Sequence, residues 1–491
     1  MSATERYDHF CHLFESCIDT LWGRTQSERT WTVAAAIVAW TKDREEVLSV
    51  GFGTKCPGKA YYDTQGYVLH DCHAETLARR GLVHYFLREI CGSNEDETST
   101  SFSWLERTAA EIEANTDGTT VSETLQHVVE KVPKFRLRRD CTLTMLFSEL
   151  PCGDAAVVPD KEERNTVDRQ QEMDIPSKRQ RTSENICERG NNSDVFHRAT
   201  GAKPLAPEAS AESSRQRQGY LRLKPGRTDL PSNLQTESIS CTDKLTRWMW
   251  VGMEGALLSL FLSEPLRIHE YLLLLSPKSP YSMEKAKESM ETCITERVKY
   301  VLEKVLVTVK PYALPVHRYK EHNSVPCAVS LAFVSDQRGG NVFEQIRKFD
   351  KDSKIGIRKM ATVNHCLRLH SDVKIKLVGW VEKITGHRGI THGANSSTPL
   401  FKAQSRLSKG STLILWLLAV HSTSELSPSM SEKLWRTTYR DIKELAVRHK
   451  SQKTAFRDPS VSEIFSDWKS KRDKYDEFRI NITEEGNYNR Q

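Results

Sequence analysis

The sequence predicts an α/β fold: a layered core with a mixed sheet, elaborated by a helical C-terminal part. Two observations carry this. Strand-length apolar runs, Val33–Val38 and Val47–Gly53, precede a stretch of helical periodicity, Cys72–Ile90, and a further strand-like segment, Cys141–Leu150. A β-β-α-β order of this kind suits a sheet with a helix on its face. The C-terminal end then reads as helical over Ser411–Ser422, Ser429–Ser451 and Ser460–Lys471.

Each element has a local reason. Val33–Val38 is an unbroken apolar run of strand length. Across Cys72–Ile90, residues Leu77, Gly81, Leu82, Tyr85, Phe86 and Ile90 recur mostly three and four apart, one stripe of a helix. Cys141–Leu150 alternates and carries β-favouring residues. After Ala156 the composition shifts to Glu, Arg, Ser, Asn and Gln with few aromatics. Such a segment buries too little apolar surface to offset its ordering entropy, so 157–219 is expected to be a disordered insertion. Order resumes near Tyr220. Lys244–Phe261 reads as a helix, with strands around Val305–Val309, Ala328–Val334 and Val373–Val381. The chain thus divides into a segment 1–29, a first core part 30–156, the insertion 157–219 and a second core part 220–491.

Composition sets the class. The 491 residues are 38% hydrophobic and 28% charged, with 71 Lys and Arg against 65 Asp and Glu, a net +6. That mild basic bias permits an acidic partner such as RNA. The runs Leu257–Leu262, Leu272–Leu275 and Leu413–Val420 are shorter than the ~20 residues a membrane span needs and read as core. The 12 cysteines are scattered, and no apolar run marks a signal peptide at the start. The expectation is an intracellular protein with reduced thiols. The basic cluster Lys178–Arg181 leaves nucleus as well as cytoplasm open.

Two local features carry chemistry. His73-Ala74-Glu75 opens a helix, and Pro151-Cys152-Gly153-Asp154 follows a strand. Hydrolytic deamination of a base needs hydroxide at neutral pH. A zinc ion with three protein ligands and one open position supplies it, by lowering the pKa of water to about 7. A carboxylate off the metal must then carry a proton from water to the departing amine. His73 and Cys152 suit the metal, and Glu75 suits the proton. Either motif alone is unspecific; the two in this order, each at a strand–helix junction, are much less so. Position 155 is Ala, so the common Pro-Cys-x-x-Cys pattern is missing. Cys241, 89 positions after Cys152 and just before a helix, replaces the lost ligand if the insertion loops out.

Cys72–Glu75, Pro151–Asp154 and Ser240–Trp248 resemble the deaminase domain of the adenosine deaminases that act on RNA, from about Thr30 to the C-terminus. The resemblance implies a cytidine-deaminase-like three-layer core, Zn2+ on His73, Cys152 and Cys241, and Glu75 as proton shuttle. Thr54-Lys55-Cys56, after Gly53, matches a family motif and implies Thr54 and Lys55 at the target nucleotide. Residues 1–29 are too few for the RNA-binding modules that duplex editors carry ahead of this domain. That favours tRNA, and the resemblance then implies as substrate the adenosine immediately 3′ of the anticodon of alanine tRNA. Editing of double-stranded RNA is one alternative. A non-catalytic RNA-binding protein is another, disfavoured by the presence of all four site residues. No obligate protein partner is implied.

The family also buries one inositol hexakisphosphate. The resemblance implies as its ligands Arg79, Arg80, Lys224, Lys244, Arg247, Trp248, Tyr439, Lys443, Lys450, Lys453, Trp468 and Lys471. Lys450 stands where the family carries Gln, His70 where it carries Asn, and Ala256 where it carries Ser. Lys443, Lys450 and Lys453 share one face if a single helix holds them. Gathered at ~4 Å separations, such cations repel by about 4 kcal/mol per pair at an effective dielectric near 20, so a polyanion is required. Arg136, Arg138 and Arg139 are candidates for RNA phosphates. Arg227 and Asp229 are the candidates for a residue that replaces a flipped base.

Overall fold

Alternation along one strand decides the architecture. β1 (Ala34–Trp40) turns Ala34, Ala36 and Val38 to one face and Ala35, Ile37 and Ala39 to the other, and both sets are buried. A strand apolar on both faces must be covered on both. α1 (Ala3–Trp22) covers the first face with Phe10, Phe14, Ile18 and Trp22. α2 (Ala74–Cys91) covers the second with Leu77, Ala78, Leu82 and Phe86. The result is the three-layer α/β/α core. This computed structural model describes residues 3–23, 30–93, 103–108, 123–157, 202–205, 218–224, 231–277, 279, 281–298, 305–314, 324–336, 361–368, 374–468 and 473–480.

The sheet is mixed. β2 (Glu45–Phe52), β3 (Thr142–Phe147), β4 (Glu270–Leu275), β5 (Leu306–Pro311), β6 (Val329–Ser335), β7 (Ala361–Arg368) and β8 (Lys374–Thr385) join β1 in the order β5-β4-β3-β1-β2-β6-β8-β7, and Ile390–Thr391 pairs onto β8. β3, β4 and β5 run parallel to one another, and the other neighbours are antiparallel. On the α2 side, helices from the second half of the chain complete the layer. α3 (Cys241–Val251) contributes Leu245 and Met249, and α4 (Lys409–Thr423) contributes Leu413 and Trp416.

Several sequence expectations shift. The segment 1–29 carries α1 as a full layer of the core; its apolar face gives Tyr7, Phe10, Phe14, Ile18, Leu21 and Trp22 to the sheet. The helix expected over Lys244–Phe261 is α3 followed by a short turn, Gly255–Ser259. Gly252, at φ 101°, ends α3, and Met253 N–H then donates to Leu266 O at 2.8 Å. The helix expected over Ser429–Ser451 is three: Pro428–Trp435, α5 (Tyr439–Glu444) and α6 (Val447–Ala455). Thr438 restarts the chain as an N-cap, accepting from Asp441 N–H. Lys443 therefore sits on a different helix from Lys450 and Lys453. The expected last helix shrinks to Glu463–Ser466. Within the expected insertion, Lys203–Pro204 pairs antiparallel with Arg222–Leu223. Residues 158–201, with the Lys178–Arg181 cluster, and 206–217 lie outside the described residues.

One contact sets the height of α2 above the sheet. A Cβ on Gly51 would lie 2.2 Å from Ala74 O and 2.8 Å from Ala78 N. Ala74 N–H also donates to Gly53 O at 3.0 Å. The first turn of α2 therefore lies directly on β2, which fixes the residues on either side of Ala74. Gly51→Ala should push that turn off the strand and cost about 1–3 kcal/mol in urea unfolding, with lower metal content in the protein that still folds. Wild-type stability and metal content in this variant would contradict the constraint.

Candidate active site

The site forms where three strand–helix junctions meet. Cys72–His73 pairs with Thr54–Lys55, placing Thr54 opposite His73. Glu75 follows in the first turn of α2. Cys152 comes just after β3. The next residue, Gly153, has φ 119°, and a Cβ there would lie 2.3 Å from Ser240 Oγ. Only glycine allows that approach. It lets Thr242 N–H donate to Cys152 O at 3.0 Å and Thr242 Oγ1 donate to Pro151 O at 3.1 Å. Cys241 opens α3, which Ser240 caps by accepting from Asp243 N–H.

A buried ionic cluster locks the two cysteine segments together. Arg222 pairs closely with Asp154, and Arg297 donates to Asp243 at 2.8 Å. Asp154 also accepts from Gly219 N–H at 2.6 Å and Tyr220 N–H at 3.0 Å. Asp243 accepts from Arg222 N–H at 2.9 Å. Burial pushes the Asp243 carboxyl up, and Arg297 opposes it. Sequence reasoning missed Arg222 and Arg297. The available signal was the acidic residue two places after each cysteine.

His73, Cys152 and Cys241 offer three ligand atoms that all lie within 4.8 Å of one another. His73 Nδ1 is 3.7 Å from Cys152 Sγ and 3.6 Å from Cys241 Sγ. Tetrahedral zinc, with Zn–S about 2.3 Å and Zn–N about 2.0–2.1 Å, sets N and S ligands about 3.6 Å apart. The three donors fit that ion and leave its fourth position open. Glu75 Oε2 lies 3.1 Å from Cys241 Sγ, beside this triangle. Without a metal, the hydrogen bond from Cys241 holds the Cys152 thiol well below the usual range, against burial and helped by Lys224 and His73. Burial pushes the Cys241 thiol up.

Cys56, Asp71 and His73 also cluster at ligand distance. Their carboxylate is already committed. Asp71 Oδ2 accepts from Lys224 Nζ at 2.8 Å, from Ser238 Oγ at 2.6 Å and closely from Lys244 Nζ. Asp71 Oδ1 accepts from His73 N–H at 2.9 Å and from Cys56 Sγ at 3.2 Å. Two ammonium groups on one carboxylate repel a further cation, so of the two clusters the His–Cys–Cys triangle is the one suited to a metal. Burial opposes ionisation of Asp71, but Lys224 and Lys244 hold its carboxyl well below the usual range. Lys224 Nζ also donates to Cys241 Sγ at 3.0 Å. Lys224 and Lys244, expected among the inositol hexakisphosphate ligands, instead pair with the carboxylate beside the triangle.

A second polar region lies one turn along the same two helices. Arg79 sits over the Trp248 ring at 5.6 Å and donates to Met253 O at 2.7 Å, and Arg80 donates to Leu407 O at 2.7 Å. Arg247 lies over the Trp468 ring at 5.1 Å. Lys409 and Lys443 flank the Tyr439 ring at 5.8 and 5.6 Å, and both bond Asp476 at 2.5 Å. Among the described residues, Arg247 and Lys453 make no hydrogen bond or ion pair. Burial, Arg457 and Arg79 lower Arg247 to about 9. Burial, Arg247, Lys443 and Arg457 lower Lys453 to about 7. The structure thus brings together Arg79, Arg80, Arg247, Trp248, Tyr439, Lys443, Lys453 and Trp468. It adds Lys409, Arg457 and Asp476, which sequence reasoning missed; nothing in their spacing marks them. Lys450 is the correction: its side chain is 52% exposed and pairs with Glu444, because α6 turns it outward. Lys471, Arg227 and Asp229 lie outside the described residues.

On the substrate side, Thr54 Oγ1 is buried without a hydrogen-bond partner. Burial lowers the Lys55 ammonium, which faces the Gly386–Arg388 loop through His387. Arg136 pairs with Glu106 at 2.6 Å and Arg138 with Asp140 at 3.1 Å, which gives both an intramolecular role. Asp71→Ala would leave Lys224 and Lys244 buried without their carboxylate. It should cost about 3–5 kcal/mol in denaturant unfolding. A loss below about 1 kcal/mol, the scale of an exposed pair, would refute that account.

Residues 49–363 match the family model of the adenosine-deaminase (editase) domain, a stretch that holds His73, Glu75, Cys152 and Cys241. The tRNA-specific adenosine deaminase 1 of Drosophila melanogaster is 31% identical over 238 residues, 48% of this chain and 46% of that protein. The Homo sapiens protein of the same name is 25% identical over 355 residues, 55% of this chain and 64% of that protein. The double-stranded RNA-specific adenosine deaminase of Mus musculus is 24% identical over 265 residues, 53% of this chain and 19% of that protein. The chain thus matches less than two thirds of the length of each of these relatives. The helices of the basic pocket, from α4 onward, lie beyond the family match. With well over half of its residues in that match and the site residues inside it, the chain belongs to the adenosine-deaminase (editase) domain family.

Proposed function

We propose that the chain converts adenosine to inosine in tRNA by zinc-dependent hydrolysis, at the adenosine immediately 3′ of the anticodon of alanine tRNA. The observation that carries the chemistry is the His73–Cys152–Cys241 triangle at zinc-ligand spacing with Glu75 beside it. The names of several relatives support tRNA as the substrate class. An adenosine in an anticodon loop is already largely unpaired, so moving it into a pocket costs less than flipping it from a duplex.

A zinc ion on the three ligands would supply the Lewis acidity that makes water a nucleophile near pH 7. The remaining work falls to the chain. Glu75 takes a proton from the attacking water as its oxygen bonds C6 of the base. The same carboxyl then gives a proton to the exocyclic amine, which leaves as ammonia, so adenosine and water become inosine and ammonia. Thr54, across the strand pair from His73, contacts the target nucleotide. Lys224, held by Asp71, donates to Cys241 Sγ and offsets its thiolate charge.

The basic pocket supports a second bound group, inositol hexakisphosphate. The orphaned cations Arg247 and Lys453 carry this reading, since a polyanion would offset the charge of both and favour the charged form of Lys453. Its role is that of a folding cofactor, because the cations come from both halves of the chain.

Purified protein should form inosine in an alanine tRNA transcript, lose that activity to a chelator, and regain it with zinc. Glu75→Gln should lower turnover about 10²–10⁴-fold or more while keeping its zinc. Cys241→Ser should lose zinc. Full activity in Glu75→Gln would refute the mechanism, and a long RNA duplex edited in preference to tRNA would refute the substrate. The pocket has a pH signature. Lys453 is near 7 without an anion and rises when one binds, so binding weakens as pH climbs above that value. Affinity for inositol hexasulfate, whose charge is constant here, should fall by up to about tenfold per pH unit. A flat profile from about pH 6 to 9 would remove Lys453 from the pocket.

A further inference from the structure

We propose that Tyr61 is the stacking platform for the unpaired base next to the target adenosine, and so helps this site read a single-stranded loop. The proposal rests on the RNA reading above. It starts from an exposed ring. Among the described residues Tyr61 is the one aromatic side chain among the large exposed hydrophobics, at 41% exposure. Its ring touches no other ring and its hydroxyl makes no hydrogen bond within the described chain. An aromatic left this way in water costs free energy unless something covers it.

The position of the ring points to the covering group. Tyr61 ends the turn Lys59–Tyr61, which continues the Thr54–Lys55 strand that pairs with His73. That turn is held rigidly. Lys59 N–H donates to Gln235 O at 3.0 Å, and Lys59 Nζ lies 3.8 Å from Glu237. The next residue, Tyr62, stacks on His70 at 3.9 Å with planes 11° apart, and its hydroxyl lies 3.2 Å from Thr236 Oγ1. His70 is three residues before His73, at most ~11 Å of extended chain from it. The Tyr62 ring is thus spent on the protein, while the ring of its neighbour is left exposed. The loop that carries Arg388 packs on the start of this segment: a Cβ on Gly386 would lie 2.9 Å from Lys55 Cβ, and one on Gly389 2.9 Å from Pro57, four residues before Tyr61. An unpartnered ring on a segment that also carries Lys55 and leads from the strand pair holding His73 suits the way single-stranded RNA is gripped, by base stacking next to backbone charge. Glu237 works against a phosphate on Lys59, so the contact assigned to this turn is a base on the ring.

Only an unstacked base can use such a platform. In an anticodon loop the neighbours of the target are free to splay onto the ring; inside a duplex they remain stacked and paired.

The test is a two-way cycle on the full zinc-loaded protein. Single-turnover inosine formation and fluorescence anisotropy are measured with an alanine anticodon stem-loop and with versions abasic at either neighbour of the target. Tyr61→Ala should weaken stem-loop binding about tenfold, within the roughly 5–150-fold that loss of one base stack produces. It should leave the single-turnover rate at saturation, the zinc content and the thermal midpoint unchanged, and Tyr61→Trp should restore binding. One abasic position should cost wild type as much as Tyr61→Ala does and cost the variant nothing further. Equal binding by wild type and Tyr61→Ala, or losses that multiply at both abasic positions, would overturn the proposal. If wild type makes no inosine in any RNA, the reading of function fails instead, and the anisotropy cycle still decides the platform.

Discussion

The structure turns on one buried carboxylate. Asp71 takes hydrogen bonds from Lys224, Lys244, Ser238, Cys56 and the peptide N–H of His73. These donors come from four separate stretches of the chain. An ionised carboxylate away from water is tolerated only when its lone pairs are filled and its charge is offset. Both conditions are met, and meeting them fixes where each stretch must lie. His73 is set by its own backbone bond to Asp71. Cys241 is set from the other side, through the Lys224 ammonium that bridges Asp71 and its sulfur.

The metal triangle and the basic pocket are parts of one construction. α2 carries Glu75 in its first turn and Arg79 and Arg80 in its second. α3 carries Cys241 at its start, Lys244 one turn on and Arg247 after it. Close packing of α2 on β2 at Gly51 therefore positions the Glu75 carboxylate and two pocket cations together. The pocket and the candidate metal ligands thus share two helices and the hydrogen-bonded Lys244–Asp71–Lys224 chain. The cations of the pocket come from α2, α3, α4, α5 and α6, so they meet only where the C-terminal helices pack on the core.

Much of the chemistry was legible in the sequence. His73, Glu75, Cys152 and Cys241 stand in short motifs, and each motif sits at a strand–helix junction that periodicity reveals. The layered α/β core followed from the β-β-α-β order and its three layers from the family resemblance, though the helix Ala3–Trp22 that forms the third layer was overlooked. The basic pocket was legible in part. Arg79, Arg80 and Arg247 could be placed because they share helices with metal-site residues. Lys450 was misplaced because a helix predicted as continuous breaks at Thr438 and Ala446, which rotates α6 relative to α5. Lys409, Arg457 and Asp476 carry no local signal, since a charged residue on a helix reads the same whether it meets water or a pocket.

The sequence by itself determined the donor set: one imidazole, two thiols and a carboxylate, in an order and local setting that suit zinc and proton transfer. Those choices are local, because a motif at a helix start or strand end fixes its own backbone. Only the tertiary structure decided which of two overlapping clusters can take a metal. Asp71 is bonded to two lysines far from it in the chain, and that charge excludes a second cation. It also decided that Lys224 and Lys244 serve this carboxylate, and that Arg247 and Lys453 are left without one. Long-range pairing of charge is set by which helices meet, and no spacing along a single chain segment encodes it.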